Sequence, residues 1–501
     1  MGQELNKNKK LNILFSTVAV LAMQESAQAL NTQKRIMKNN MSMIYTLKPQ
    51  EVNSINEMFR KGILYGRLRS NTFYYDHINE EPGKTKDHKA WGLGGSLIYS
   101  TGYLNGLGGT VGMYTTHTIN TDNAIEGGGD YGKAGKDTYS RATGSGSHID
   151  VLALAYLEYK FAQSSVKAGR QTFESTLIRT NDTKMIPNTF EGVSIQSKDI
   201  EDTILRGAYF SRQKLRDHRS FHSVIAYDDW ETNPDAQDDS ATHKGLSVTN
   251  IKAAGKEVEP GMFVATVQNK SIDNLKLNLD GMYIDSFVSS LIAEVNYTLK
   301  LNENWALTPG VRYIHQMDEG AGKIGGAALN GSLAGISGSA NGYADARSVD
   351  SGAWMARVKL SNDSASIMAG YSAINDEADI IAPWRGFPTG GYTRSMAQYN
   401  WEANTRSWML KVDYDFAKAD IISGLRGAID YAQMDYDDNK RILGGLAKTD
   451  RNIIHLDLFQ TFKEVPNFEL KLRMAMVNAE SGDVQNYNSY NEYRFEANYF
   501  F

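Results

Sequence analysis

Through most of this chain apolar and polar residues alternate singly, in runs punctuated by Gly, Asn, Asp and Ser. The final run shows it most plainly: Tyr493, Phe495, Ala497, Tyr499 and Phe501 alternate with Arg494, Glu496 and Asn498. Neighbouring side chains of a strand point to opposite faces, so a period of two predicts strands with one apolar and one wet face. A soluble sandwich shares that pattern but rarely finishes on a doubled Phe. A membrane barrel does, because its last strand closes the wall with lipid outside and water inside. The expected fold class is all-β, a transmembrane antiparallel up-and-down β-barrel.

The same alternation predicts strands over 62–75, 90–100, 105–118, 149–163, 164–171, 190–197, 202–214, 261–271, 274–285, 287–300, 304–317, 351–361, 364–372, 405–416, 421–433, 450–463, 467–478 and 489–501. These amount to about eighteen, an even number, as single-chain bacterial barrels have. The stretch 215–260 leaves room for a further pair. Short connections such as 301–304, 361–364 and 417–420 alternate with long ones at 119–148, 172–189, 215–260, 318–350, 373–404 and 434–449. Short periplasmic turns and long outer loops give a barrel this rhythm; the connection near Ser286 is short where a long one is due. The barrel is expected over 62–501, with no linker or change of texture. Residues 30–61 lack strand texture. There Ser54-Ile55-Asn56-Glu57 has capping-box spacing and Ile55, Met58 and Phe59 make a small apolar face, predicting a short periplasmic helix that ends before Gly62.

At the N-terminus Lys7, Lys9 and Lys10 precede an apolar run at 13–23 and then Ser26-Ala27-Gln28-Ala29. A basic segment, a short apolar segment and an Ala-x-Ala site predict a secretory signal over 1–29, cleaved near Ala29. The run is too short to cross a bilayer as a helix. Later segments offer none longer, and mean hydropathy is −0.44; this excludes a helical membrane protein but not a barrel, whose alternating strands average to a soluble value. The chain has no Cys, hence no disulfide framework. Its 45 Gly and 27 Tyr against 9 Pro suit long strands, tight turns and aromatic girdles. The expected girdle residues include Trp91, Tyr99, Trp305, Trp354 and Trp408. A net charge of −5 gives no hint of a nucleic-acid partner, so any anion preference must come from local placement.

The alternation also sorts the charges. Leu64 and Leu68 put Arg67 and Arg69 on the other face; Val311 and Tyr313 do so for Arg312, and Trp354, Ala356, Val358 and Leu360 for Arg357 and Lys359. Gly427, Ile429 and Tyr431 place Arg426 inward, and Leu470 and Leu472 place Lys471 and Arg473. A charge facing lipid at mid-membrane costs about 2–4 kcal/mol, so these eight belong in the lumen, where they form a candidate basic ladder. Guanidinium groups bind carboxylates through paired hydrogen bonds, which suits capture and hand-over of an anion. A plainer role is open to each: pairing with Asp413, Asp415, Asp430, Asp457, Glu492 or Glu496, which also face inward.

Val166-Lys167-Ala168-Gly169-Arg170-Gln171, the segment from Asn181 to Gly192, and Ile380-Ile381-Ala382-Pro383-Trp384-Arg385-Gly386-Phe387-Pro388-Thr389-Gly390-Gly391-Tyr392-Thr393-Arg394 resemble the OprD-like substrate-specific porins. The resemblance is nearest to the branch of the Campylobacter–Sulfurimonas group. The C-terminal strand ending at Phe501 resembles the signal by which barrel assembly machinery recognises its clients. The resemblance implies an eighteen-stranded barrel, a third outer loop folded inward to narrow the pore, and a basic ladder that guides small carboxylates. Arg179, Asp182 and Lys184 are then the candidate constriction, with Pro187 fixing the loop exit, or else only staples between loop and wall. Arg385 and Arg394 flank a Gly- and Pro-marked turn that either holds them over the pore or packs as an outer loop.

Other chemistries fare poorly. Gly135-Lys136-Asp137 is no phosphate loop, since Asp137 replaces the hydroxyl residue and Asp130 stands where the first Gly belongs. His218 and His222 have helical metal spacing but no HExxH Glu, and Asp435, Asp437 and Asp438 lack an EF-hand continuation. The expectation is no enzyme, no metal and no cofactor: a porin in the bacterial outer membrane, monomer or homotrimer, surrounded by outer membrane lipid and passing small polar solutes with a preference for carboxylates. A general diffusion porin and a loop-bearing adhesive or structural barrel are the alternatives.

Overall fold

In the computed structural model the described residues are 35–37, 43–45, 48–78, 87–123, 148–183, 185–216, 218, 220–226, 242–331, 342–396, 398–440, 449–480 and 489–501. Among them eighteen strands form a closed antiparallel barrel. They are β1 (Ile63–His77), β2 (His88–Ser100), β3 (Leu107–Asn123), β4 (His148–Phe161), β5 (Ser164–Gln171) and β6 (Thr189–Ser197). Next come β7 (Thr203–Lys214), β8 (Met262–Asn269), β9 (Leu275–Ile284), β10 (Val288–Tyr297), β11 (Ala306–Asp318) and β12 (Ser351–Ser361). The last six are β13 (Ala365–Ile374), β14 (Arg406–Asp415), β15 (Leu425–Asp435), β16 (Arg451–Thr461), β17 (Phe468–Ala479) and β18 (Tyr490–Phe500). Each pairs with its neighbour in sequence, and β18 closes on β1 from Tyr490↔His77 to Phe500↔Arg67. Closure leaves no open edge in the apolar layer, which a strand protein in lipid requires.

The alternation sets the faces as predicted. On β12, Trp354 and Val358 are exposed on the outside while Met355 is buried within. Trp91 and Trp408 are likewise exposed girdle residues. The final residue departs from the pattern: Phe501 is buried as deeply as Phe500, its backbone exchanging hydrogen bonds with Gly66 on β1. Strand ends agree with the sequence reading to within a few residues. The room left for a further strand pair at 215–260 holds, among the described residues, only the helix α2 (Val248–Ala253) and a bridge between Gln213 and His222. The leader at 1–29 and its cleavage near Ala29 lie outside the described residues, as do 135–137.

Two motif glycines have a backbone reason. Gly169 on β5 has φ +122° and faces Gly192 on β6, φ +157°, beside a bulge at Glu191/Gly192. A Cβ at either would strike the carbonyl of the next strand, Ala155 or Tyr209. The predicted helix is present as α1 (Ile55–Arg60): Ser54 caps it by accepting from the Glu57 amide at 3.2 Å, and Glu57 reaches back to the Asn53 amide at 3.2 Å.

Candidate functional site

The connection between β5 and β6, the third on the long-loop rim, folds into the lumen and reaches the wall at β1, four strands away. Arg67 on β1 pairs with the Asp182 carboxylate. Arg69 donates to the Asp182 carbonyl at 2.6 Å and pairs with Glu496 at 2.7 Å, and Asn71 donates to the Thr183 carbonyl at 3.1 Å. Lys471 completes the group by pairing with Glu496 at 2.9 Å. Arg67, Arg69 and Lys471 are buried. They join loop to wall and do not line the open lumen. Lys184 lies outside the described residues. Arg179 pairs with Glu174 at 2.9 Å within the same loop and does face the lumen.

The connection between β13 and β14 folds inward as well and packs on the first loop. Ile178 bridges to Arg385, Arg179 donates its amide to the Trp384 carbonyl at 3.0 Å, and Trp384 Nε1 donates to the Val224 carbonyl at 2.8 Å. Backbone lies on backbone here: a Cβ on Gly386 would strike Leu177 and Thr176, which explains the Gly after Trp384-Arg385. Arg385 is held in the left-handed region at φ +67° and fully buried. Below it, Arg312 on β11 donates to the carbonyls of Pro388 at 2.8 Å and Gly390 at 3.1 Å, and Arg357 on β12 donates to that of Gly391 at 2.8 Å. Both guanidinium groups lie 4.7 Å from the Tyr392 ring, one of the more favourable settings for a cation on an aromatic face. Glu294 on β10 accepts from Arg312 Nε at 2.7 Å and lies 3.5 Å from Arg357.

What the two loops leave open is a cavity of about 680 Å³. Its wall carries Arg179, Arg216, Lys276, Arg312, Arg357, Lys359, Arg385, Arg394, Lys411, Arg473 and Arg494 against three carboxylates, Asp413, Asp430 and Asp457. Among the described residues Lys276, Lys359 and Arg394 make no ion pair; Arg394 instead lies 3.4 Å from the Phe387 ring. Arg473 is bidentate to Asp457 at 2.6 and 3.1 Å, and His455 bridges Asp457 and Asp430 at 2.7 and 2.8 Å. The acids are therefore spoken for by Arg473, His455 and Lys411, which pairs with Asp413 at 3.1 Å, while Lys276, Lys359 and Arg394 are left without a carboxylate among the described residues. The register places Lys359, Met368, Lys411, Asp430 and His455 in one row across five strands, two residues towards the short-turn rim from Arg357. A second cavity, about 380 Å³, shares Lys359, Lys411, Asp413 and Asp457 with the first and runs to the turn at 361–366. Arg426 stands at that mouth, 5.8 Å from the Phe459 ring.

Of the eight ladder residues, then, Arg312, Arg357, Lys359 and Arg473 share the central cavity, Arg426 the lower one, and Arg67, Arg69 and Lys471 the loop staple. Lys276 and Lys411 were missed, although Leu275 and Leu277, and Leu410 and Val412, mark their faces by the same alternation. Arg216 was missed for a better reason: it comes from a loop and reaches Asn181 at 2.9 Å. His218 Nδ1 and His222 Nε2 are 2.8 Å apart and hydrogen-bond directly, leaving no space for a metal between them. Among the described residues no group of three His, Asp or Glu is arranged to hold one.

The family model for OprD outer membrane porins matches residues 65–501. OpdK of Pseudomonas aeruginosa, solved with vanillate, superposes with a TM-score of 0.64 at 14% identity, covering 87% of this chain and 98% of that one. OccK9 (OpdG) of the same organism gives 0.65 at 16%, covering 88% and 99%, and OccAB2 of Acinetobacter baumannii 0.64 at 18%, covering 89% and 99%. No curated protein matches the chain.

Proposed function

Because the chain belongs to the OprD family of outer membrane porins, we propose that its passive channel prefers small anions, carboxylates foremost. As a member it resides in the bacterial outer membrane and passes small solutes, in a family of channels rather than of enzymes. The observation that carries the preference is the excess of lumenal cations over carboxylates around a cavity narrowed by two inward loops. A row of one sign inside low-dielectric walls raises the local concentration of counter-charged solute. A carboxylate entering past the outer loops meets Arg394, then Arg357 and Arg312, then Lys359 and Lys411, and leaves by Arg426. Because Arg312 is anchored to Glu294 and to loop carbonyls, it shapes the site; Lys359 and Arg394, which make no ion pair among the described residues, are the residues assigned to hand the anion along. That OpdK was solved with vanillate, itself a carboxylate, is in keeping with this. Two finer assignments go with the reading: the strand ending at Phe501 is the segment read by barrel assembly machinery, and the functional unit is one barrel, whether or not three associate.

The test is the reversal potential of the refolded chain in a planar bilayer under a salt gradient. The expected result is an anion-selective conductance that small carboxylates reduce, and a lower anion preference in the Lys359→Gln/Arg394→Gln double variant. A folded double variant with an unchanged reversal potential would sink the assignment.

A further inference from the structure

The family match begins at residue 65, and the strap of chain just before it does something the barrel does not require. Residues 48–62 run along the short-turn rim and are tied to the turn between β2 and β3. Glu51–Val52 pairs in parallel with Tyr103–Leu104, the Tyr103 amide donates to the Gln50 carbonyl at 2.9 Å, and the Gly102 amide donates to the Met58 carbonyl at 2.7 Å. The Tyr99 hydroxyl donates to the Phe59 carbonyl, and Gly62 packs so closely on the Tyr99 ring that no Cβ fits there. Tyr99 shares the face of Trp91 and Leu93 and alternates with the buried Ile98 and Ser100, so it stands on the outer face of the wall. The Phe59–Gly62 end of the strap is thus held at the side of the barrel that meets lipid, whereas its 51–52 end pairs beside Tyr103, whose hydroxyl donates to the lumen-facing Glu158 at 2.7 Å.

Its helix, α1, buries none of its own residues. Ile55 and Phe59, one turn apart and so on one face, are 68% and 59% exposed. Water would disfavour that in a helix capped and fastened at both ends. The surface beside it explains the exposure: Leu107, Tyr159 and Phe161, at the same rim on β3 and β4, are exposed members of the apolar belt. Ile55 and Phe59 extend that belt. Arg60, exposed at the end of the helix, makes no ion pair among the described residues, whereas Glu57 is occupied by Lys61 at 2.8 Å. Apolar side chains flanked by an uncommitted cation are the makeup of an interfacial helix at a phosphate-bearing surface.

We propose that α1 is an interfacial foot, which lays Ile55 and Phe59 into the glycerophospholipid of the periplasmic leaflet with Arg60 at the phosphates. The foot fixes the short-turn rim at the membrane surface and sets where the chain ahead of residue 48 leaves it.

The chain has no Cys, so one introduced residue carries one label. Ile55→Cys, Phe59→Cys and, as a control on the strap, Glu51→Cys of the otherwise complete mature chain would each be spin-labelled and reconstituted into phosphatidylethanolamine/phosphatidylglycerol vesicles. Retained heat-modifiable migration shows that each barrel is folded. Collisions with oxygen, which concentrates in lipid, are compared with those of a water-soluble nickel chelate. The proposal expects an oxygen-to-nickel ratio severalfold higher at 55 and 59 than at 51. Nickel-dominated collisions at 55 and 59 would place the helix in periplasmic water and overturn it. Protection from both reagents would overturn it too, by showing the face covered by protein: the chain's own earlier residues, or a second copy if spin–spin broadening appears.

Discussion

Glu294 sets how much of the Arg312 and Arg357 charge the lumen feels. Its carboxylate touches both guanidinium groups, and Arg312 rests besides on loop carbonyls and the Tyr392 ring. Glu294→Gln keeps the shape and removes one negative charge, so anion preference should rise, opposite in sign to Lys359→Gln; reversal potentials compare the two directly. Removing one partner of a buried pair costs up to about 3–5 kcal/mol. Here the loss is smaller, because Arg357 remains in contact with water, and a modest drop in the temperature of heat-modifiable migration is expected. Asp379 acts on a different part of the molecule. It lies in the long loop after β13, accepts from the Leu329 and Ala403 amides at 2.8 Å each and from the Tyr343 hydroxyl at 3.0 Å, and so locks two outer loops together. Burial, helped by Glu402, pushes its carboxyl up to about 6 from 3.8. Below pH 3.8 it is protonated whether or not the loops are packed; above about 6 it is ionised in both states. The packed state therefore loses roughly 2–3 kcal/mol as pH rises through that window. Amide exchange at residues 327–331, corrected for intrinsic rates, should be faster at pH 7.5 than at pH 5, and Asp379→Asn should remove the difference.

At the level of the element, the inward loop between β5 and β6 depends on one end being held by β1, more than a hundred residues earlier in the chain. Asp182→Asn deletes the carboxylate that Arg67 binds and leaves a buried guanidinium short of its counter-charge. The loop should then sample positions away from the wall. Larger, noisier single-channel steps with an unchanged barrel circular dichroism spectrum are expected; steps identical to those of the parent would show that Asn71 and the bridge to Arg385 suffice. The same staple shows where sequence reasoning stops. Leu64 and Leu68 were enough to turn Arg67 and Arg69 inward, because the strand period leaves no other choice. Nothing in the alternation says what crosses the lumen at their height, so pore and staple looked alike. Loops follow no period at all: Arg394 was picked out by the Gly and Pro around it, whereas Tyr392, two residues away in the same motif, was given no role although two arginines rest on its ring. Legibility ended where side chains answer to tertiary contacts rather than to lipid on one side and water on the other.

Across the whole molecule, charge placement matters more than charge. The chain is net negative at −5, yet cations outnumber carboxylates along the wall of its central cavity. Two ways of preferring anions follow from that wall, and salt separates them. If selectivity comes from the summed field of cations spread over β9, β11, β12, β14 and the inward loops, it should weaken as mobile ions screen it. The Debye length falls from about 10 Å at 0.1 M to about 3 Å at 1 M, shorter than the spacing between successive cations along the path. If instead a solute carboxylate is gripped at Lys359 or Arg394 by direct hydrogen bonds, block by that carboxylate should survive 1 M salt with only a modest loss of affinity. Both are expected here, in different readouts. The chloride-over-potassium permeability ratio should fall towards unity between 0.1 and 1 M KCl, while carboxylate block persists and is weakened by Lys359→Gln at either salt. A permeability ratio indifferent to salt would place the filter in direct contacts alone, and loss of block at high salt would leave only the field.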